Sequence, residues 1–162
     1  MTGRVSPVPR EARVYQGRQA GIVTRTLSSV IDAVVTALIV AALYLAWSGL
    51  AFVTDPTGFR FPRPSFGLVL GVGLGTLGLY LAMCWWVIGR TYGGQVMGLR
   101  VVGRRGARPS LPVALLRAAM CVLFPIGLFW VVVSARNKSV QDLVVRTSVI
   151  YDWEPNHQSP QR

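Results

Sequence analysis

The chain has 162 residues, enough for one domain, and is 52% hydrophobic, yet it carries a formal net charge of +11. A soluble basic protein spreads its charge along the sequence. Here the charges gather between long uncharged runs, which argues against a nucleic-acid partner and for a membrane protein with basic loops that touch lipid headgroups.

Residues 1–20 are polar, with Arg4, Arg10, Arg13 and Arg18 set against Glu11. They read as a cytoplasmic flank, disordered or lying on the membrane surface, not as a cleavable signal, because the apolar run that follows is too long and lacks a small-residue cleavage site. That run predicts a membrane helix from about Val23 to Val53, uncharged from Ala33 onward. Arg25 stands at its mouth and Asp32 inside it. A carboxylate at that depth costs roughly 3 kcal/mol on insertion scales, so it needs compensation from elsewhere in the chain. Arg25 and Asp32 share a helix face but lie roughly 10 Å apart along the axis, so each should pair with another segment. Tyr44 and Trp47 fit an aromatic belt at the far end.

Residues 54–64 form a Pro- and Gly-broken loop with two arginines. A second uncharged helix is expected from Ser65 to Ile88. Gly67, Gly71 and Gly75 fall on one face of it, which predicts a close helix–helix seam or a docking face for other membrane subunits. Trp85 and Trp86 near its end read as interface anchors. The next loop, residues 89–109, carries Arg90, Arg100, Arg104, Arg105 and Arg108 and no acid, so the positive-inside rule makes it cytoplasmic. Its glycines lack the preceding strand and the Gly-Lys-Ser/Thr of a phosphate cradle. Within it, Met97–Val102 reads as a short strand.

The last apolar stretch, Leu111 to Ala135, holds Arg117 and is interrupted at Pro125-Ile126-Gly127. A single span would send the C-terminus outside, whereas a Pro-bent, re-entrant hairpin would keep it inside. The basic residues that follow, and a strand-like run Arg146–Tyr151 able to pair with Met97–Val102, favour the hairpin. Residues 152–162 read as a polar tail. The fold expected is thus all-α and membrane-embedded, with two full transmembrane helices, a third Pro-bent helical segment and a short two-stranded pairing.

Depth along the first and third segments suggests that Asp32 pairs with Arg117, and Arg25 with Asp142 nearer the interface. Such pairs can carry ions or protons, or simply fix helix packing. Catalysis is not expected: His157 stands alone in a tail, and no metal, cofactor or nucleophile cluster is visible. Cys84 and Cys121 lie in apolar runs and read as small hydrophobes.

The order Arg25, Asp32, Asp142 resembles the RDD family, bacterial membrane proteins named for one arginine and two aspartates. The resemblance runs from about Gly21 to Tyr151, through Arg25–Asp32, Gly89–Val102, Arg117 and Ser139–Ile150. It departs at Gln141, where many members have His, and at Val144-Val145-Arg146, where small residues are frequent. The resemblance implies a transport-related membrane module in the inner membrane, with its N-terminus in the cytoplasm and other membrane subunits or further copies as partners. Some actinobacterial relatives look like accessory proteins of Mce-type uptake systems.

Overall fold

The computed structural model describes residues 17–103, 106–124 and 140–152, and for residues 140–142 the backbone alone. Helix α1 runs Ile22–Thr54 and α2 runs Phe66–Val87. At 1.5 Å per residue they measure about 50 Å and 33 Å, each longer than the ~30 Å hydrocarbon core of a bilayer. Both are apolar enough to cross it, and in each the most apolar window is only 11% buried. That figure rules out core helices of a soluble protein, which bury most of their surface. The buried residues of α1 are instead Arg25, Ser28, Asp32, Thr36 and Ser48, while Val30, Val34, Leu38 and Leu45 face outward. The inside is polar and the outside apolar, the arrangement that lipid demands.

Ser65 starts α2 by accepting the Leu68 N–H. The chain then turns through α3 (Tyr92–Val96), capped by Thr91, and enters β1 (Leu99–Val102). Helix α4 (Leu111–Leu123) has a proline in its first turn and ends at Phe124, whose backbone leaves the helical region just before Pro125. Its 13 residues reach about 20 Å, short of a full crossing. A one-and-a-half-turn helix α5 (Val140–Val145) precedes β2 (Ser148–Tyr151).

Strands β1 and β2 pair antiparallel, Leu99 opposite Tyr151 and Val102 opposite Ser148. The pairing expected from sequence is therefore present, and it places residues 148–151 at the end of the molecule that holds β1. Residues 125–139, where the bend was expected, lie outside the described residues. The flank differs from expectation at its inner end. Residues 17–20 lie along the free edge of β2, with the N–H groups of Gly17 and Ala20 bonded to the carbonyls of Tyr151 and Val149, and Tyr151 bonded back to Arg18. An unpaired strand edge is a row of open donors and acceptors, and this segment covers it. Ala20 is fully buried as a result.

The core sits at this end. Leu81, Ala82 and Trp85 of α2 meet Ala114 and Ala118 of α4 and Leu99, Val101 and Val149 of the sheet. Alanines let α4 approach α2 closely. Among the described residues, a Cβ on Gly67, Gly71 or Gly75 would meet nothing within 4 Å, and the contact face of α2 is the Leu81–Trp85 side, toward its other end.

Arg146, after α5, adopts a left-handed backbone (φ 54°), which disfavours a side chain with a Cβ. This explains why small residues suit that stretch. Arg146→Gly is expected to raise stability by about 0.5–1 kcal/mol, read as a higher thermal unfolding midpoint in detergent.

Candidate functional site

Between the buried polar face of α1 and residues of α2, α3, α4 and both strands lies a cavity of about 250 Å³. Arg25, Ser28, Ser29 and Asp32 of α1 form one side of it, Leu77, Leu81 and Trp85 of α2 the other; Arg90, Thr91 and Arg117 complete its polar lining.

Asp32 is 5% exposed. Its Oδ1 accepts the Tyr80 hydroxyl at 2.9 Å and the Gly93 N–H at 2.8 Å. Tyr80 is held in turn, because its oxygen accepts the Tyr92 N–H. The contact depends on Gly93. A Cβ there would be driven into the Ser28 carbonyl, so only glycine lets the α3 backbone come close enough to reach the carboxylate.

The expected Asp32–Arg117 ion pair does not form. The two line the same cavity, but among the described residues the ion pairs are Arg90–Asp152 and Arg100–Asp152. Asp32 is compensated by neutral donors from α2 and α3. Arg117, 3% exposed, lies over the Trp85 ring, 4.8 Å from its centroid, and donates to the Thr147 hydroxyl. Trp85 is thus a buried support for an arginine, not an interface anchor, whereas Trp86 beside it is 44% exposed. The side chain of Asp142, the expected partner of Arg25, lies outside the described residues. Arg25 donates from Nε to the Ala20 carbonyl at 3.1 Å, which ties the start of α1 to the segment covering β2.

Three arginines of the basic loop turn back onto the fold. Arg90 and Arg100 (3.2 Å) converge on Asp152 Oδ2, and Arg108 donates to the Val87 carbonyl at the end of α2. Arg104 and Arg105 lie outside the described residues. Asp152, buried and bonded through its N–H to the Gly98 carbonyl, belongs to the fold and not to the tail. A carboxylate directly after a strand that pairs with one inside the arginine-rich loop was the available signal. Among the described residues no group of three or more His, Cys, Asp or Glu is placed to hold a metal ion.

No curated protein and no solved structure matches the chain. A family model described as the RDD family matches residues 19–146, a range that takes in Arg25, Asp32, Arg117 and Asp142. That match covers more than three quarters of the sequence and coincides with two apolar helices of membrane-crossing length, and by it the chain belongs to the RDD family.

Proposed function

We propose that this small membrane protein is an accessory subunit of a larger membrane transport complex. It would sit in the bacterial inner membrane with its N-terminus and basic loop in the cytoplasm. The observation that carries the reading is the number of spans. Among the described residues two helices are long enough to cross, and α4 stops short. These two described spans do not by themselves enclose a path through a bilayer, which supports a role beside further subunits. The outward side of α2 supports this: among the described residues its Gly67, Gly71 and Gly75 face packs on nothing, and small residues permit close approach of a partner helix. The orientation follows from the positive-inside rule, since residues 17–20 and the arginine-rich loop share one end of the molecule.

The test is a native pull-down in mild detergent, with companions identified by mass spectrometry. Stoichiometric co-purification of other membrane subunits is expected, lost in Gly71→Leu without a fall in the chain's own thermal midpoint. Recovery of the chain alone would sink the reading. One observation favours a second reading, a homo-oligomer that moves a cation or proton. Asp32 Oδ1 takes both hydrogen bonds to its carboxylate, and Oδ2 takes none among the described residues. Flux in liposomes that disappears in Asp32→Asn would support it.

A further inference from the structure

Asp32 keeps one oxygen in reserve. Its Oδ1 takes both the Tyr80 hydroxyl and the Gly93 N–H, and among the described residues Oδ2 accepts nothing. Nor is Oδ2 sealed away: among the described residues the fully buried polar side-chain atoms that lack a bond do not include it. Asp32 is 5% exposed, and the open space it borders is the cavity of about 250 Å³. A carboxylate oxygen held out of bulk water is costly to leave without a donor, so a guest that brings one is stabilised. One water could bring it, but a water needs only ~15 Å³, whereas an apolar cavity of ~150 Å³ takes up benzene. This cavity therefore has room for a ring.

Its walls suit one. Leu77 and Leu81 of α2, Leu99 and Val101 of β1 and Val149 of β2 line it. All but Leu77 are buried in the core, which fixes them in place. A largely apolar wall with a few placed polar groups is the usual make-up of a small-molecule site. Charges of both signs border the same space, Asp32 on one hand and Arg25, Arg90 and Arg117 on the other. An ion of either sign would meet a like charge there, and a neutral guest meets none.

We propose that this cavity binds a small neutral molecule with an apolar ring and one hydrogen-bond donor, of the phenol class. The ring lies against Leu77, Leu81, Leu99 and Val101, and the hydroxyl donates to Asp32 Oδ2. The site requires neither a partner subunit nor a transported ion, so its failure and that of either functional reading are separate results.

The test is a matched pair of probes, para-fluorophenol and para-fluoroanisole, which differ in having O–H or O–CH3 on the same ring. Each would be titrated into the full-length protein in dodecyl maltoside, with fluorine NMR reading bound probe against protein-free micelles. Saturable binding of fluorophenol at one per chain is expected. Fluoroanisole should bind about tenfold more weakly or worse, since it has no donor for a charged acceptor. Asp32→Asn keeps an oxygen for Tyr80 and Gly93 but puts an NH2 group in place of Oδ2. It should weaken fluorophenol about tenfold and leave fluoroanisole unchanged. Equal binding of the two probes, or no saturable binding of fluorophenol, would overturn the proposal. So would unchanged fluorophenol binding in an Asp32→Asn protein of normal thermal midpoint. If that variant does not fold, the probe pair on the unaltered protein decides.

Discussion

Gly93→Ala is expected to destabilise the protein by about 3–5 kcal/mol, a drop of roughly 10 °C or more in the thermal midpoint for a chain of this size. The added methyl meets the Ser28 carbonyl and crowds Asp32 Oδ1. Either α3 withdraws and the Gly93 N–H loses the carboxylate, or α1 shifts and strains the cap at Thr91. The first outcome leaves a buried charge with one fewer donor. Gly71→Ala is the matched control. Among the described residues its Cβ meets nothing within 4 Å, and alanine is the better helix former by about 1 kcal/mol, so its midpoint should hold or rise. Equal midpoints for the two variants would mean that α3 does not approach α1 as described.

Asp32→Ala should cost about 3 kcal/mol, because it strands the Tyr80 hydroxyl and the Gly93 N–H in a buried place. Asp32→Asn keeps an acceptor oxygen for both donors and should recover most of that loss. Tyr80→Phe removes one of the two donors and should cost about 1 kcal/mol. Thermal midpoints of the three variants in one detergent check the order. The effects of Asp32→Ala and Gly93→Ala should be far from additive, since both act on the same contact. If Asp32→Asn were as damaging as Asp32→Ala, the negative charge itself would be holding the cluster together, and compensation by neutral donors would be the wrong account.

The elements were legible where a single physical rule applies along the chain. An uncharged run after Asp32 has the length of a bilayer, and α1 and α2 begin and end within a residue or so of the expected bounds. The strand-like runs Met97–Val102 and Arg146–Tyr151 were expected to pair, and within them Leu99–Val102 and Ser148–Tyr151 do. What the sequence hid is direction. Helix α2 is apolar on every side, so nothing in its pattern distinguishes Trp85, turned inward under Arg117, from Trp86, turned outward. For the charges, equal depth correctly brought Asp32 and Arg117 to one cavity, but depth says nothing of which donor arrives first. The donor that does is a backbone N–H in Tyr92-Gly93-Gly94, a stretch that reads locally as a loop. Asp152 was hidden because its partners, Arg90 and Arg100, lie 62 and 52 residues before it.

The segment laid along β2 has a consequence for the order of assembly. Its hydrogen bonds join residues 17–20 to residues 149–151, nearly the whole chain apart. At a synthesis rate of about 5–20 residues per second, β2 emerges roughly 6–26 s after the stretch it must hold. Helix α1 therefore enters the bilayer with Arg25 still lacking the fixed Ala20 carbonyl, and Asp32 waits some 60 residues for α3. A nascent chain halted after Leu123 would contain both long helices and the first strand, but neither Thr147 beneath Arg117 nor the partner of the opening segment. The charged cluster closes last, so residues 17–20 and 147–152 act as the clasp of the finished protein.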